Sequence, residues 1–233
     1  MIDAIIISDI HLGSPICNHE SVLSILNAIH NNTLQTKKLI LNGDVFDSHD
    51  FRRLNKHHWK ILSQIRKLSD HIEVIWIVGN HDGPLEIISP LLGINAVNEL
   101  ILESNNKKFF ITHGHRYDQI ITNYPLLVKF ADFFYRLFQK LDKTQTIAKF
   151  MKQRSKIYLR NVHIVKHESL KDAKKLKTNG AICGHTHKAE LIEINNLIYA
   201  NSGCFTEKTC TFLTIQNGTI ELQTINPTIT DCQ

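Results

Sequence analysis

Five short apolar runs, each followed by a cluster of glycine, aspartate, asparagine or histidine, constrain this chain more than any other feature. The runs are Asp3–Ser8 (DAIIIS), Lys38–Asn42 (KLILN), Ile72–Val78 (IEVIWIV), Lys108–Thr112 (KFFIT) and Ala181–Cys183 (AIC). Segments apolar on both faces predict strands of a sheet covered on both sides. Between the first three lie helical patterns. Ser21–His30 places Val22, Leu23, Ile25, Leu26 and Ile29 on one stripe, and Leu54–Leu68 does the same with Trp59, Leu62, Ile65 and Leu68. Strand, helix, strand, helix, strand reads as right-handed βαβ units, hence an α/β class.

The end of the chain changes character. Lys188–Tyr199 reads as a hairpin turning at Asn195-Asn196, and Cys210–Thr224 as a second one turning at Asn217-Gly218. The sheet is therefore expected to finish antiparallel. Residues 121–177 show no β pattern and hold fourteen Lys/Arg against four Asp/Glu, whereas the rest of the chain is acidic. They read as a helical insertion between the fourth and fifth core strands, within a single domain spanning 1–233.

Composition excludes several classes. With 42% hydrophobic and 21% charged residues the chain is globular, not disordered. No run of eighteen apolar residues is present, so no membrane-spanning helix is expected. The opening MIDAIIISDIHLG lacks a basic stretch and carries Asp3, so no secretory signal is expected. Five scattered cysteines without a CxxC suit a reducing, cytoplasmic setting.

The clusters carry the chemistry. They are Asp9-x-His11, Gly43-Asp44-x-x-Asp47, Gly79-Asn80-His81-Asp82, His113-Gly114-His115 and Gly184-His185-x-His187. Because each follows a predicted strand, all five can gather at one edge of the sheet, where open α/β sheets bind ligands. Carboxylates, imidazoles and one amide, without thiolates, suit manganese, iron or zinc. Seven or eight such ligands exceed the needs of one ion. They fit two ions bridged by a shared carboxylate, an arrangement that clamps a phosphoryl group and activates water.

These five motifs, in this order, resemble the signature of the calcineurin-like metallophosphoesterase superfamily over residues 3 to about 205. The resemblance implies a β-sandwich of mixed sheets flanked by helices, with a helical lid insertion at 121–177. It implies one divalent ion held by Asp9, His11, Asp44 and His187, and a second held by Asp44, Asn80, His113 and His185. The ions would be Mn2+, with Fe or Zn also compatible. Asp47 and Asp82 would orient imidazoles and hold the loops, and His81 would stand beside the phosphate as proton donor or charge stabiliser. Within the superfamily the chain is most similar to the bacterial UDP-2,3-diacylglucosamine pyrophosphatase branch. The shared features are its size, the SDIHL opening, the helical insertion and the GHTHKAE…YANSG ending. It departs from that branch at His81, where arginine is usual, at His115, where aspartate is usual, and at Cys204.

The implied activity is metal-dependent hydrolysis of a phosphate ester or pyrophosphate, with a phosphorylated small molecule or a lipid-linked nucleotide as substrate. Leu126–Leu141 keeps its polar residues, Lys129, Asp132, Arg136, Gln139 and Lys140, on a narrow stripe. That leaves a wide apolar face for lipid or for peripheral membrane contact, or for packing against the core and the helical segment Thr146–Asn161. Arg154, Tyr158, Arg160 and His115 are candidate substrate contacts. A soluble phosphodiesterase acting on nucleotides or nucleic acid is the alternative, although the apolar helix fits nucleic acid poorly. A non-enzymatic scaffold ranks last, because no ligand of the signature is missing. The remaining histidines, His19, His30, His49, His57, His58, His71, His163 and His167, read mostly as solvated surface, with His49, shortly after Asp47, a candidate substrate contact.

Overall fold

A computed structural model describes residues 1–118 and 156–225. The parallel core opens with β1 (Ala4–Ile7), α1 (His19–His30), β2 (Lys38–Asn42), α2 (Lys56–Leu68) and β3 (Glu73–Ile77), matching the two βαβ units read from the sequence. It continues through α3 (Leu85–Leu92), β4 (Asn95–Val97), β5 (Glu99–Ser104) and β6 (Lys107–Thr112). After the undescribed residues come α4 (Lys156–Lys175), β7 (Gly180–Cys183), and the hairpins β8 (Glu190–Ile194) with β9 (Leu197–Asn201) and β10 (Cys210–Gln216) with β11 (Thr219–Ile225). No described helix is long and apolar enough to cross a membrane.

The strands form two sheets. One has the order β11-β10-β1-β2-β3-β4, the other β5-β6-β7-β9-β8. β1 to β4 run parallel, β10 lies antiparallel to β1 and β11 antiparallel to β10, and β6, β7 and β9 run parallel between the antiparallel edges β5 and β8. The five motif strands are thus divided, three in one sheet and two in the other. The single sheet edge expected from the spacing is instead a common end of a sandwich, as the family resemblance implies.

Alternation within the strands explains the layering. In β1, Ile5 and Ile7 face the helices α1 and α2, while Ala4 and Ile6 face the second sheet, and all four are buried. Ile40, Ile77, Ile111, Ile182 and Leu213 join Ile6 between the sheets. On the far side Val165, Leu170 and Ala173 of α4 pack on Phe110, Ala181, Cys183 and Tyr199. The result is helix, sheet, sheet, helix, with the central strands of both sheets buried on both faces.

Some local expectations are corrected. Trp59, read as part of the buried stripe of α2, is 53% exposed, and His58, read as solvated, is 3% exposed. The buried stripe is His58, Ile61, Leu62, Ile65 and Leu68. Both patterns share Leu62, Ile65 and Leu68, and the helix cap decides between them. The Asn55 side chain accepts from the backbone of His57 and His58, while His58 Nδ1 accepts from the Asn55 backbone. That reciprocal pair turns His58 inward and Trp59 out. The helix expected to end at Asn161 runs on to Lys175, because Val162, Val165, Leu170 and Ala173 continue its buried stripe. The apolar segment Leu126–Leu141 and Arg154 lie outside the described residues.

Identical side chains in different layers give a direct test. Ile182→Ala, between the sheets, should destabilise the protein by about 2–5 kcal/mol in urea unfolding, whereas Ile192→Ala, 40% exposed on edge strand β8, should stay within about 0.5 kcal/mol.

Candidate metal centre

Asp9 and His11 follow β1, Asp44 follows β2, Asn80 follows β3, His113 follows β6, and His185 and His187 follow β7. Parallel direction places all of these strand ends on one side of the sandwich. Three groups of donor atoms form there: Asp9 with His11 and His187, His11 with Asp44 and His81, and Asp44 with His113 and His185. Within each group the atoms lie within 4.8 Å of one another. The structure therefore brings together six of the seven sequence-predicted ligands in groups that share Asp44 and His11.

The contacts show how each donor is aimed. One oxygen of Asp9, Oδ2, accepts from Ser8 Oγ at 2.5 Å and from the His185 backbone N–H at 3.0 Å. Its other oxygen faces His187 Nε2 at 3.2 Å. Asp44 is divided in the same way. Its Oδ1 accepts from the His81 backbone N–H at 2.9 Å, while Oδ2 stands 3.2 Å from His113 Nε2 and 3.9 Å from His11 Nε2. His113 donates its Nδ1 proton to the Asn42 carbonyl at 2.8 Å, which turns Nε2 toward Asp44. His11 turns Nδ1 to Asp47 at 3.5 Å and brings Nε2 to 3.2 Å from His187 Nε2.

Two observations bear on whether these donors could hold cations. Among the described residues, the buried side-chain atoms without a well-formed hydrogen bond include Asp9 Oδ1, Asn80 Oδ1 and His113 Nε2. All three are ligand atoms of the expected set, and burying such groups unsatisfied is costly. Electrostatics point the same way. Burial works against the charge on Asp9, yet the adjacent His187 holds its carboxyl down to about 2. Burial also disfavours a charged His113, but Asp44 and Asp9 push the ring up to about 10. The carboxylates therefore draw positive charge into a place that burial would otherwise keep neutral.

Backbone strain is concentrated at the same residues. Asp9, His11, Asp44, His185 and His187 all have φ between 51° and 64°. Among the described residues, the other non-glycine positions with positive φ are asparagines and Lys177. Asparagine, aspartate and histidine enter that region more often than other side chains, and left-handed backbone at non-glycine positions gathers at functional sites. Glycine serves close approach at two points. A Cβ on Gly43 would lie 2.3 Å from His113 Nδ1, and one on Gly79 would lie 2.2 Å from Asp44 Oδ1.

The residues around the donors take distinct parts. Asp47 holds the ring of His11, is itself paired with Arg53 at 2.6 Å, and its backbone carbonyl accepts from His81 Nδ1 at 2.9 Å. Burial opposes ionisation of Asp47, but His11 and Arg53 bring its carboxyl down to about 2. Asp82 departs from the expected part, since among the described residues its carboxylate orients no imidazole. It accepts from the backbone of Phe46 and Gly79 and from the Trp76 indole, and so ties the second motif loop to the third. His49 Nε2 bonds the Asp82 carbonyl at 3.0 Å and belongs to the same tie.

The expected substrate contacts divide. His115 packs beside His113 and His185, and burial together with those two rings lowers it to about 4, which keeps it neutral. Tyr158 reaches the site loop by donating to the Thr186 carbonyl at 2.9 Å. Arg160 is exposed on α4, two positions beyond Tyr158. Residues that spacing does not reveal include Ser8, Arg53 and Asp118. Asp118 bonds His185 across 67 positions of sequence, a distance at which no local pattern signals a partner.

Strand-end carboxylates and imidazoles form candidate metal-ligand groups linked through Asp44 and His11. Residues 3–189 match the family described as calcineurin-like phosphoesterase, and the chain belongs to that family. It is accordingly a hydrolase acting on phosphoric ester bonds, of a family that uses a dinuclear metal site. Two solved structures share the fold at low identity. One is a novel archaeal phosphodiesterase, 17% identical, covering 96% of this chain and 98% of that one with a TM-score of 0.51. Another is Yfce, a phosphoesterase from E. coli, 12% identical, covering 96% and 98% with a TM-score of 0.52. No curated protein matches.

Gly43→Ala should lower stability by more than about 1 kcal/mol and displace His113, because it adds both a clash and a strained φ of 83°. Gly83→Ala, where a Cβ meets nothing within 4 Å, should stay within about 0.5 kcal/mol. Urea unfolding of the two variants checks the contrast.

Proposed function

We propose that this protein hydrolyses a phosphate ester or pyrophosphate bond with two divalent ions bridged by Asp44. The observation that carries the reading is the position of Asp44 Oδ2 between His113 Nε2 and His11 Nε2, each of which belongs to a different donor group. Asp9, His11, Asp44 and His187 would hold one ion, and Asp44, Asn80, His113 and His185 the other. When bound, the ions would polarise the phosphoryl group and activate water. The oxygen donors suit manganese and the imidazoles suit iron or zinc, so this mixed set accommodates any of the three.

The chain's own residues do the remaining work. His81 donates Nδ1–H to the Asp47 carbonyl, which leaves Nε2 to face substrate, where the imidazolium form would give its Nε2 proton to the leaving oxygen and return to the neutral ring. Asp47 holds both His11 and His81, so it sets the distance between ligand and acid. Asp82 fixes the loops that carry Asp44 and Asn80. Neutral His115, with Tyr158 on the neighbouring rim, offers polar contacts to substrate without adding charge to the ligand cluster.

For the substrate, the SDIHL opening, the insertion at 121–177 within a single domain and the YANSG ending favour a lipid-linked nucleotide such as UDP-2,3-diacylglucosamine. The basic, apolar insertion would meet its phosphates and acyl chains at the face of a membrane. A general phosphodiesterase acting on nucleotides is a second reading, favoured by His81 at the position where the lipid pyrophosphatases carry arginine.

Hydrolysis of a manganese-supplemented panel of phosphomonoesters, phosphodiesters, nucleotide sugars and UDP-diacylglucosamine tests both readings. Preferential cleavage of the lipid nucleotide supports the first, and preference for simple diesters supports the second. Asp44→Ala should abolish activity and remove both ions, since the bridge serves each. Retention of two metals per chain in that variant would contradict the ligand assignment.

A further inference from the structure

Each imidazole in the candidate centre has one nitrogen directed at a neighbouring protein group. For His113 it is Nδ1 on the Asn42 carbonyl, for His11 Nδ1 on Asp47, and for His187 Nδ1 beside Thr206 Oγ1 at 3.4 Å. His185 is the reversed case. Its Nε2 lies 3.0 Å from Asp118 Oδ2, and the side chain is only 8% exposed. A neutral imidazole carries a single N–H, so donation from Nε2 leaves the lone pair on Nδ1.

Asp118 is itself tightly placed. It is 5% exposed and caps the short turn His115–Tyr117, with its backbone N–H on the His115 carbonyl. Its Oδ2 also accepts from Asn161 Nδ2 of α4 at 2.6 Å. The His185 ring is confined from other directions by the edge of His113, with centroids 5.3 Å apart, and by its backbone N–H on Asp9 Oδ2. The ring that shares a donor group with Asp44 and His113 therefore has its tautomer and rotation set by a carboxylate outside the ligand set.

We propose that Asp118 is a positioning residue of the metal centre. It holds His185 in the tautomer that presents Nδ1 to the ion shared with Asp44 and His113, and Asn161 in turn holds Asp118. The inference rests on the two-ion reading above and assigns within it a residue that contacts no reacting atom. Carboxylates that accept from a ligating histidine fix its orientation and raise its basicity.

Manganese titration of the metal-free full-length chain against a competing chelator tests this, alongside thermal melting of the same metal-free samples. In Asp118→Ala one of the two binding steps should weaken by about 10–100-fold, with the other step and the melting temperature little changed. Asp118→Asn, which keeps the shape without the charge, should fall between that variant and wild type. Wild-type affinity at both steps in Asp118→Ala would overturn the proposal. If that variant does not fold, Asn161→Ala decides, with weakening of the same step expected and unchanged binding contradicting it. A wild-type chain that binds no manganese would instead overturn the two-ion reading on which the proposal stands.

Discussion

The structure depends on burying two carboxylates, Asp9 and Asp44, side by side at the end of a sandwich. Asp9 is fully buried and Asp44 2% exposed. Two unneutralised charges in such a place would repel and would each lose hydration worth several kcal/mol. The protein offsets part of this by fixing one oxygen of each, with Ser8 and the His185 backbone on Asp9 and the His81 backbone on Asp44. The remaining oxygens face imidazoles that can accept a cation between them. Asp82 feels the same field. Burial and the nearby Asp44 raise its pKa, and backbone and indole donors counter that.

That electrostatic demand explains features that look costly in isolation. Two sheets, not one, are needed to bring five strand ends around the pair, with β1, β2 and β3 on one side and β6 and β7 on the other. Left-handed backbone at Asp9, His11, Asp44, His185 and His187 turns each donor inward immediately after its strand. The dense packing between the sheets, from Ile6 and Ile40 to Ile111 and Ile182, gives the rigidity that strained residues require. Fold and site are thus linked, since the strands that carry the donors also make the core.

Much of this is legible in the amino-acid sequence. The core strands β1, β2, β3, β6 and β7, both terminal hairpins and the helices α1 and α2 follow from apolar runs and turn residues. The strand-end donors follow from their place after those runs. The features that local pattern does not show are decided by contacts remote in sequence or by weak signals. α3 and β4 give little signal because they are short, and α3 contains Pro90. β5 pairs with β6 through Asn105-Asn106, a turn like Asn195-Asn196, but no strand-end donor cluster follows ELILES to mark it as a core strand. The inward turn of His58 depends on a cap. Asp118 is recognisable only with His185 against it.

The central claim is that Asp44 bridges two ions. Anomalous diffraction at the manganese edge, from crystals grown with that metal, tests it most directly. The account predicts two peaks flanking Asp44 Oδ2, one reached by Asp9, His11 and His187 and the other by Asn80, His113 and His185. A single peak, or two peaks that do not share Asp44, would contradict it.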